Sequence, residues 1–394
     1  MSPAVRIGFV PLIDAAPLVA AEELGLFARH GVRVTLHRQI GWANARDKLA
    51  YGQLDAAHAL LGIPLSGAGG LAWDDAGTTG AGEPLVSVME LGCGGNAITL
   101  SKALTDRGVR SAAGLGEWLR DRAAGGGAAG RRPVFAHVSN HATHHYLLRE
   151  WLWAGGIHPD RDVRLCVVPP PQMPDQLRHG HLDGFCAGDP WNTVAERGGY
   201  GTVVATTTDV LPDHPEKVLA VPRRWAEANE ATVVSLVKAV LEACRWCADD
   251  ANHPELAAML ADRRYVDVAA ADVAASLALD RTVGSDPRHV PAGVDRTSAA
   301  RRPATDWRPP DWRMRSFELA HTFPSGTHAA WLAEQRVRWG HAAAPADVLA
   351  AAGRCTDARY YRAAAADLGV PCPADDFPPM RLRRDGCYDP RKPT

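Results

Sequence analysis

Apolar and polar positions come in short alternating blocks along the first sixty residues. Val5 to Val10 is an apolar run closed by a proline and predicts a strand. Pro17 to Glu23 predicts a helix, with the proline in the first turn, where its missing N–H leaves no bond unmade. Val32 to His37 predicts a second strand, Ala43 to Tyr51 a second helix, and the run from Leu54 to Leu60 a third strand. Apolar strands separated by helices predict the α/β class, here as a parallel sheet with crossover helices. Further on, Arg224 to Ala261 has a helical pattern. Ser285 to Pro324 is rich in Arg, Pro and Trp without a period, which predicts a long surface loop.

One stretch recurs. Leu49, Gly52, Leu54 and Asp55 are repeated at the same spacing by Leu177, Gly180, Leu182 and Asp183. Each copy reads as a helix ending on a glycine, a tight turn, and a strand entering a core. Two copies predict two similar α/β lobes. Residues 1–92 would begin the first lobe and 93–218 form the second. Residues 219–394 would return to the first with a helical and loop extension.

Charge and composition narrow the function. The 394 residues carry 43 Lys and Arg against 45 Asp and Glu, a net charge of −2. That is no electrostatic footprint for direct nucleic-acid binding or an anionic membrane surface. No window is long and apolar enough to span a bilayer, and the N-terminal stretch lacks an uninterrupted apolar leader. The expected location is therefore the cytoplasm, with the eight cysteines as thiols. Cys244 and Cys247 fall inside a helical pattern, where that spacing shares one buried face, and no second Cys/His pair completes a metal site. The Gly/Ala-rich stretch around 124–130 lacks the Gly-Lys-Ser/Thr ending of a phosphate loop. GxSxG and HExxH are absent from the sequence. An enzyme, a resident metal and a cofactor are not expected.

In open α/β sheets, ligands sit beyond the carboxyl ends of strands. The segments predicted there are Pro11 to Asp14, Gly41 to Asn44, Gly92 to Asn96, Ser139 to His145, Gly188 to Asn192 and Asp213 to Lys217. Together they hold indole, amide, imidazole and hydroxyl groups, one ammonium and two predicted helix N-termini. Such a set suits a small anion gripped by neutral donors and one cation. The candidates are Trp42, Asn96, His141, His144, Asp189 and Lys217. Alternatives stay open: which of His141, His144 and His145 contacts the ligand, a metal cluster of those three that no carboxylate or Cys at ligand spacing completes, structural histidines, a turn role for Asn96, a hinge-locking loop for Asp189-Pro190-Trp191, and a solvated charge for Lys217.

Several stretches resemble one family. They are "GFVPLIDAAPLVAAEELGLFARHGVRV", "GWANARDKLAYGQLDAAHAL", "GGNAITLS", "THHYLLREWLWAGGIHPDRDVRLCVVPPPQM", "LDGFCAGDPWN", "LPDHPEKVLAV" and, near the end, "FPSGTHAAWL" and "YDPRKP". They are similar to the nitrate/bicarbonate-binding proteins of the NrtA/CmpA type. The resemblance implies a type II periplasmic-binding-protein fold, with two α/β lobes, a hinge and a central ligand cleft. It places anion contacts on Trp42, Asn96 (where nitrate binders often carry Gln), His144 and Lys217, with Asp189 where relatives often have Glu or Ala. A lysine at 217 resembles the nitrate branch; the bicarbonate branch is expected to carry an acidic residue near a calcium. Without an export leader, the chain looks most like the NasS-type cytoplasmic nitrate/nitrite sensor. Such a sensor holds an RNA-binding antiterminator of the ANTAR class (NasT type) and releases it on binding the anion. The alternative is the receptor of a nitrate or bicarbonate ABC importer; an enzyme reading would need a reactive His or Cys in the cleft. With Lys217 as the anion's counter-charge, Lys217→Ala is expected to abolish binding while the fold survives.

Overall fold

The computed structural model describes residues 4–67, 83–124, 131–278, 321–345, 347–382 and 386–392. Most of the loop expected over Ser285 to Pro324, and the glycine-rich stretch at 125–130, lie outside them. Among the described residues, ten strands build two five-stranded sheets beside a short C-terminal hairpin: β1 (Val5–Phe9), β2 (Val34–Arg38), β3 (Ala56–Leu60), β4 (Leu85–Glu90), β5 (Asn96–Ser101), β6 (Val134–His137), β7 (Arg164–Val167), β8 (Gly184–Gly188), β9 (Gly201–Thr206) and β10 (Lys217–Pro222). The first sheet has the order β2-β1-β3-β10-β4 and the second β7-β6-β8-β5-β9.

The two sheets share one plan, and neither is purely parallel. β2, β1 and β3 run parallel, as do β7, β6 and β8. β10 runs against both of its neighbours, and so does β5. This corrects the expected parallel sheet. β5 and β10 are the strands with which the chain enters one sheet directly from the other. Antiparallel entry needs no crossover helix, so a short connection suffices. Lys217 and Val218 stand in β10 of the first sheet, although the sequence boundary at 218 put them at the end of the second lobe.

The repeated stretch is one joint built twice. Gly52 and Gly180 both adopt left-handed backbone, φ +68 and +71, which only glycine tolerates freely. Arg6 donates to the Gly52 carbonyl at 2.8 Å and forks onto Asp55 at 3.0 and 2.8 Å. Arg131 donates to the Gly180 carbonyl at 3.0 Å and forks onto Asp183 at 2.7 and 3.3 Å. Each aspartate also accepts a backbone N–H from the neighbouring strand, that of Arg6 in one lobe and of Val134 in the other, both at 2.8 Å.

The lobes meet closely. The Asp189 carbonyl accepts from Ile13 N–H at 2.9 Å, and the Trp191 indole donates to the Pro11 carbonyl at 3.0 Å. Gly62, opening the short helix Gly62–Ser66, packs so tightly that a Cβ there would lie 2.1 Å from the His141 carbonyl oxygen. The helix Glu230–Cys247 packs on Ala16–Glu23 and Ala358–Leu368, and Cys244 and Cys247 share its buried face. The helix Gly326–Arg338 is tied to β4 by His328, whose Nδ1 lies 2.8 and 2.9 Å from the Glu90 carboxylate oxygens.

Two outcomes follow. Gly62→Ala forces a lobe backbone to move and should cost about 1–3 kcal/mol in chemical unfolding. His328 is held above its ordinary pKa: burial opposes its charge, and Glu90 outweighs burial. That contribution is complete below the unfolded value and is lost as pH rises through the folded one. The stability advantage of the wild type over His328→Gln should therefore shrink as pH is raised from 6 to 9; an unchanged difference would count against the charged pair.

Candidate functional site

Between the two sheets lies a buried ionic cluster centred on Lys217, the first residue of β10. Its ammonium lies 2.8 Å from Asp14 Oδ2 and forms a short hydrogen bond to Glu216 Oε2. Asp14 follows β1, and Glu216 ends the segment by which the chain returns to the first sheet. Both carboxylates and the ammonium are buried. Burial opposes ionisation of Asp14, but Lys217 and then His58 outweigh it and hold the carboxyl below its ordinary range. Glu216 is likewise opposed by burial and held far below by Lys217. The two carboxylates overcome burial in turn and raise the Lys217 pKa. All three groups are charged near neutral pH.

Imidazoles and an indole ring this cluster. His58 Nε2 lies 3.0 Å from Asp14 Oδ1, close but not aligned as a hydrogen bond. The Trp42 ring packs edge-on to His58 at 5.1 Å, and Lys217 Nζ lies 5.7 Å from its centre. His144 Nδ1 is 3.6 Å and His214 Nδ1 3.4 Å from Glu216 Oε1. His214 Nε2 pairs at 2.8 Å with the Thr207 hydroxyl, which donates to the Asn96 carbonyl at 3.1 Å. Burial pushes the His214 pKa down to about 4, against the pull of Glu216, so its ring is neutral. Gly188 keeps the second lobe's wall open. A Cβ there would lie 3.3 Å from Asn96 Oδ1 and 3.5 Å from Asp14 Oδ2.

Several buried polar atoms here make no hydrogen bond among the described residues. They are Trp42 Nε1, Asn96 Oδ1, Thr143 Oγ1, Glu216 Oε1 and both ring nitrogens of His58 and of His144. Such groups in protein interiors ordinarily have partners. Trp42 begins the helix Trp42–Ala50 and Thr143 begins Thr143–Ala154, and neither helix has a side-chain cap at its N-terminus. Free N–H groups at two such ends favour a negative ligand.

Of the six sequence candidates, the structure brings Trp42, Asn96, His144 and Lys217 together around this cluster. The other two flank it. His141 Nδ1 lies 2.9 Å from the Ser66 hydroxyl at the lobe contact, and burial lowers its pKa to about 3. The Asp189 carboxylate accepts from the Thr193 N–H and hydroxyl, both at 3.2 Å, at the start of its own helix. Asp14 and Glu216 stood in the strand-end segments without being singled out. His58 was passed over; its signal was a lone imidazole in a five-residue strand buried throughout. Lys217 is corrected most. The expected lone cation among neutral donors is an ammonium already shared by two carboxylates.

Residues 1–261 match the NMT1-like family. The chain is 35% identical over 370 residues to the bicarbonate transport ATP-binding protein CmpC of Synechococcus elongatus, covering 93% of this chain and 50% of that protein. It thus spans about half the length of the first curated relatives it matches. It is 32% identical over 400 residues to the nitrate/nitrite binding protein NrtA of Synechococcus elongatus, covering 99% of this chain and 84% of that one. The crystal structure of the periplasmic nitrate-binding protein NrtA from Synechocystis PCC 6803 superposes with TM-score 0.83 at 27% identity, covering 98% of this chain and 95% of that one. The fold is periplasmic-binding-protein-like, with two α/β lobes. Among the described residues, no helix is long and apolar enough to cross a membrane.

Removing one partner of a buried ion pair leaves the others uncompensated, at about 3–5 kcal/mol. Lys217→Met should therefore destabilise the protein by that amount in urea unfolding, contrary to the expectation of an intact fold. Adding Asp14→Asn and Glu216→Gln should recover most of the loss.

Proposed function

This chain belongs to the NMT1-like family, in the nitrate/bicarbonate-binding group of the NrtA and CmpA type, and from that premise we propose that it is a receptor binding nitrate or nitrite between its lobes. The observation that carries the proposal is the Trp42 indole. It is buried beside Lys217, it can only donate, and it has no acceptor among the described residues. His144 and Asn96 bring further unused polar atoms from the second lobe, so a ligand touching all three would bridge the lobes. A bridging ligand favours the closed state by its difference in affinity for the two states. The receptor performs no chemistry in this proposal.

Two outputs follow from two different likenesses. In the first, taken from the resemblance to NasS-type sensors, closure on the anion in the cytoplasm expels an ANTAR-type antiterminator of the NasT type. Linkage then requires that partner to weaken anion binding by the same factor. The second is delivery of the anion to an ABC importer. It is favoured by the likeness to a periplasmic nitrate-binding protein over 98% of the chain. Nitrate-dependent release of a co-purified antiterminator would establish the first; recovery of the native protein outside the cytoplasmic membrane would establish the second.

Isothermal titration of the full chain with nitrate, nitrite and bicarbonate, the last with and without calcium, tests the ligand. Saturable heat with nitrate or nitrite is expected. Bicarbonate bound only with calcium would transfer the chain to the other branch. Trp42→Phe removes the indole donor and should weaken nitrate by about 5- to 100-fold, the range of one buried hydrogen bond, in a protein that unfolds like the wild type. Native affinity in that variant would put Trp42 outside the site.

A further inference from the structure

The cluster's charge does not match a monoanion. One ammonium faces two carboxylates, which leaves −1 before any ligand arrives. The neighbouring His214 is neutral, its pKa lowered to about 4 by burial. Adding a monoanion would leave two surplus negative charges in a dry interior, a state proteins avoid by taking up protons. The geometry of His144 offers the place. Its Nδ1 lies 3.6 Å from Glu216 Oε1, and both ring nitrogens lack hydrogen-bond partners among the described residues. A neutral imidazole carries one N–H, so it serves either Glu216 or an anion and turns a lone pair toward the other. An imidazolium donates to both.

We propose that the anion enters this site together with one proton, which settles on His144 and bridges Glu216 to the ligand. The proposal rests on the receptor function proposed above. The groups facing His144 support this placing. Glu216 and His214 come from the returning segment, His137 from β6 and His145 from its own helix; behind them stand Lys217, which acts on Glu216 and His214, and Arg149, which acts on His137 and His145. His137, at about 3, and His145, well below its ordinary value, are held neutral mainly by burial, as is the more distant His341 at about 4. Arg149 is paired with Asp160 at 2.5 Å. His58, whose Nε2 lies 3.0 Å from Asp14 Oδ1 on the far side of Lys217, is the control.

The test is titration of the full chain with sodium nitrate from pH 6 to 9, each point in two buffers of different ionisation enthalpy. The expected result is uptake approaching one proton per nitrate at alkaline pH, with affinity falling by up to about tenfold per pH unit there. His144→Gln should bind nitrate more weakly and lose both the uptake and the pH dependence, whereas His58→Gln should keep the uptake and the pH dependence. Nitrate binding with buffer-independent heat and flat affinity in the wild type would overturn the coupling and leave the receptor standing, whether or not the variants fold. Uptake retained in His144→Gln and lost in His58→Gln would overturn the assignment to His144. No heat with nitrate or nitrite at any pH would overturn the receptor, and the coupling with it.

Discussion

The structure depends on burying one ammonium between two carboxylates. Each ion alone would cost several kcal/mol to bring out of water, and only close mutual contact offsets that cost. Asp14, Glu216 and Lys217 meet this condition, with Lys217 2.8 Å from one carboxylate and hydrogen-bonded to the other. The condition fixes three pieces of chain at once. The turn after β1 must present Asp14, β10 must begin at residue 217, and the returning segment must reach β10 with Glu216 turned inward. β10 is then held on both sides, pairing with β3 from Lys217 and with β4 from Val218.

The pseudo-symmetry of the lobes explains why the site lies where it does. Each sheet contains one reversed strand, and each reversed strand is the one arriving from the opposite lobe. The first residue of such a strand necessarily sits between the lobes. Those residues are Asn96 in β5 and Lys217 in β10. The walls are completed by the starts of two helices, at Trp42 and Thr143, whose N-termini have no side-chain caps. The segment around Asp189 and Trp191 then locks the first loop of lobe 1 against the second sheet through Ile13 and Pro11.

The readily legible parts of this were local. The helix–glycine–strand joint was visible twice because its bonds form within a few residues of Gly52 and Gly180, apart from the arginines that complete it. Trp42, Asn96, His144 and Lys217 were legible as residues at strand or helix ends. The reversed strands were not, because "KVLAV" has the same apolar pattern whichever way its neighbours run. The charge of the site was not legible either. Asp14 lies 203 residues before Lys217 (217 − 14), and only the fold brings them into contact. A sequence inventory of lysines and carboxylates cannot say which charges are already spent on each other.

That distinction governs how the hinge relates to the ligand. Lys217, Asp14 and His58 belong to the first lobe, and His144 and Asn96 to the second. Glu216 touches both groups, through Lys217 on one side and toward His144 on the other, and it is carried by the connecting segment itself. Interactions in a low-dielectric interior are strong and poorly screened, so a change of charge at any one of these groups is felt by the rest. In the proposed receptor, a ligand that alters the charge beside His144 would alter the balance at Glu216, which the segment connecting the two sheets carries. In that reading ligand occupancy and lobe geometry need no separate relay between them, because the segment that connects the sheets also carries one of the three charges of the site.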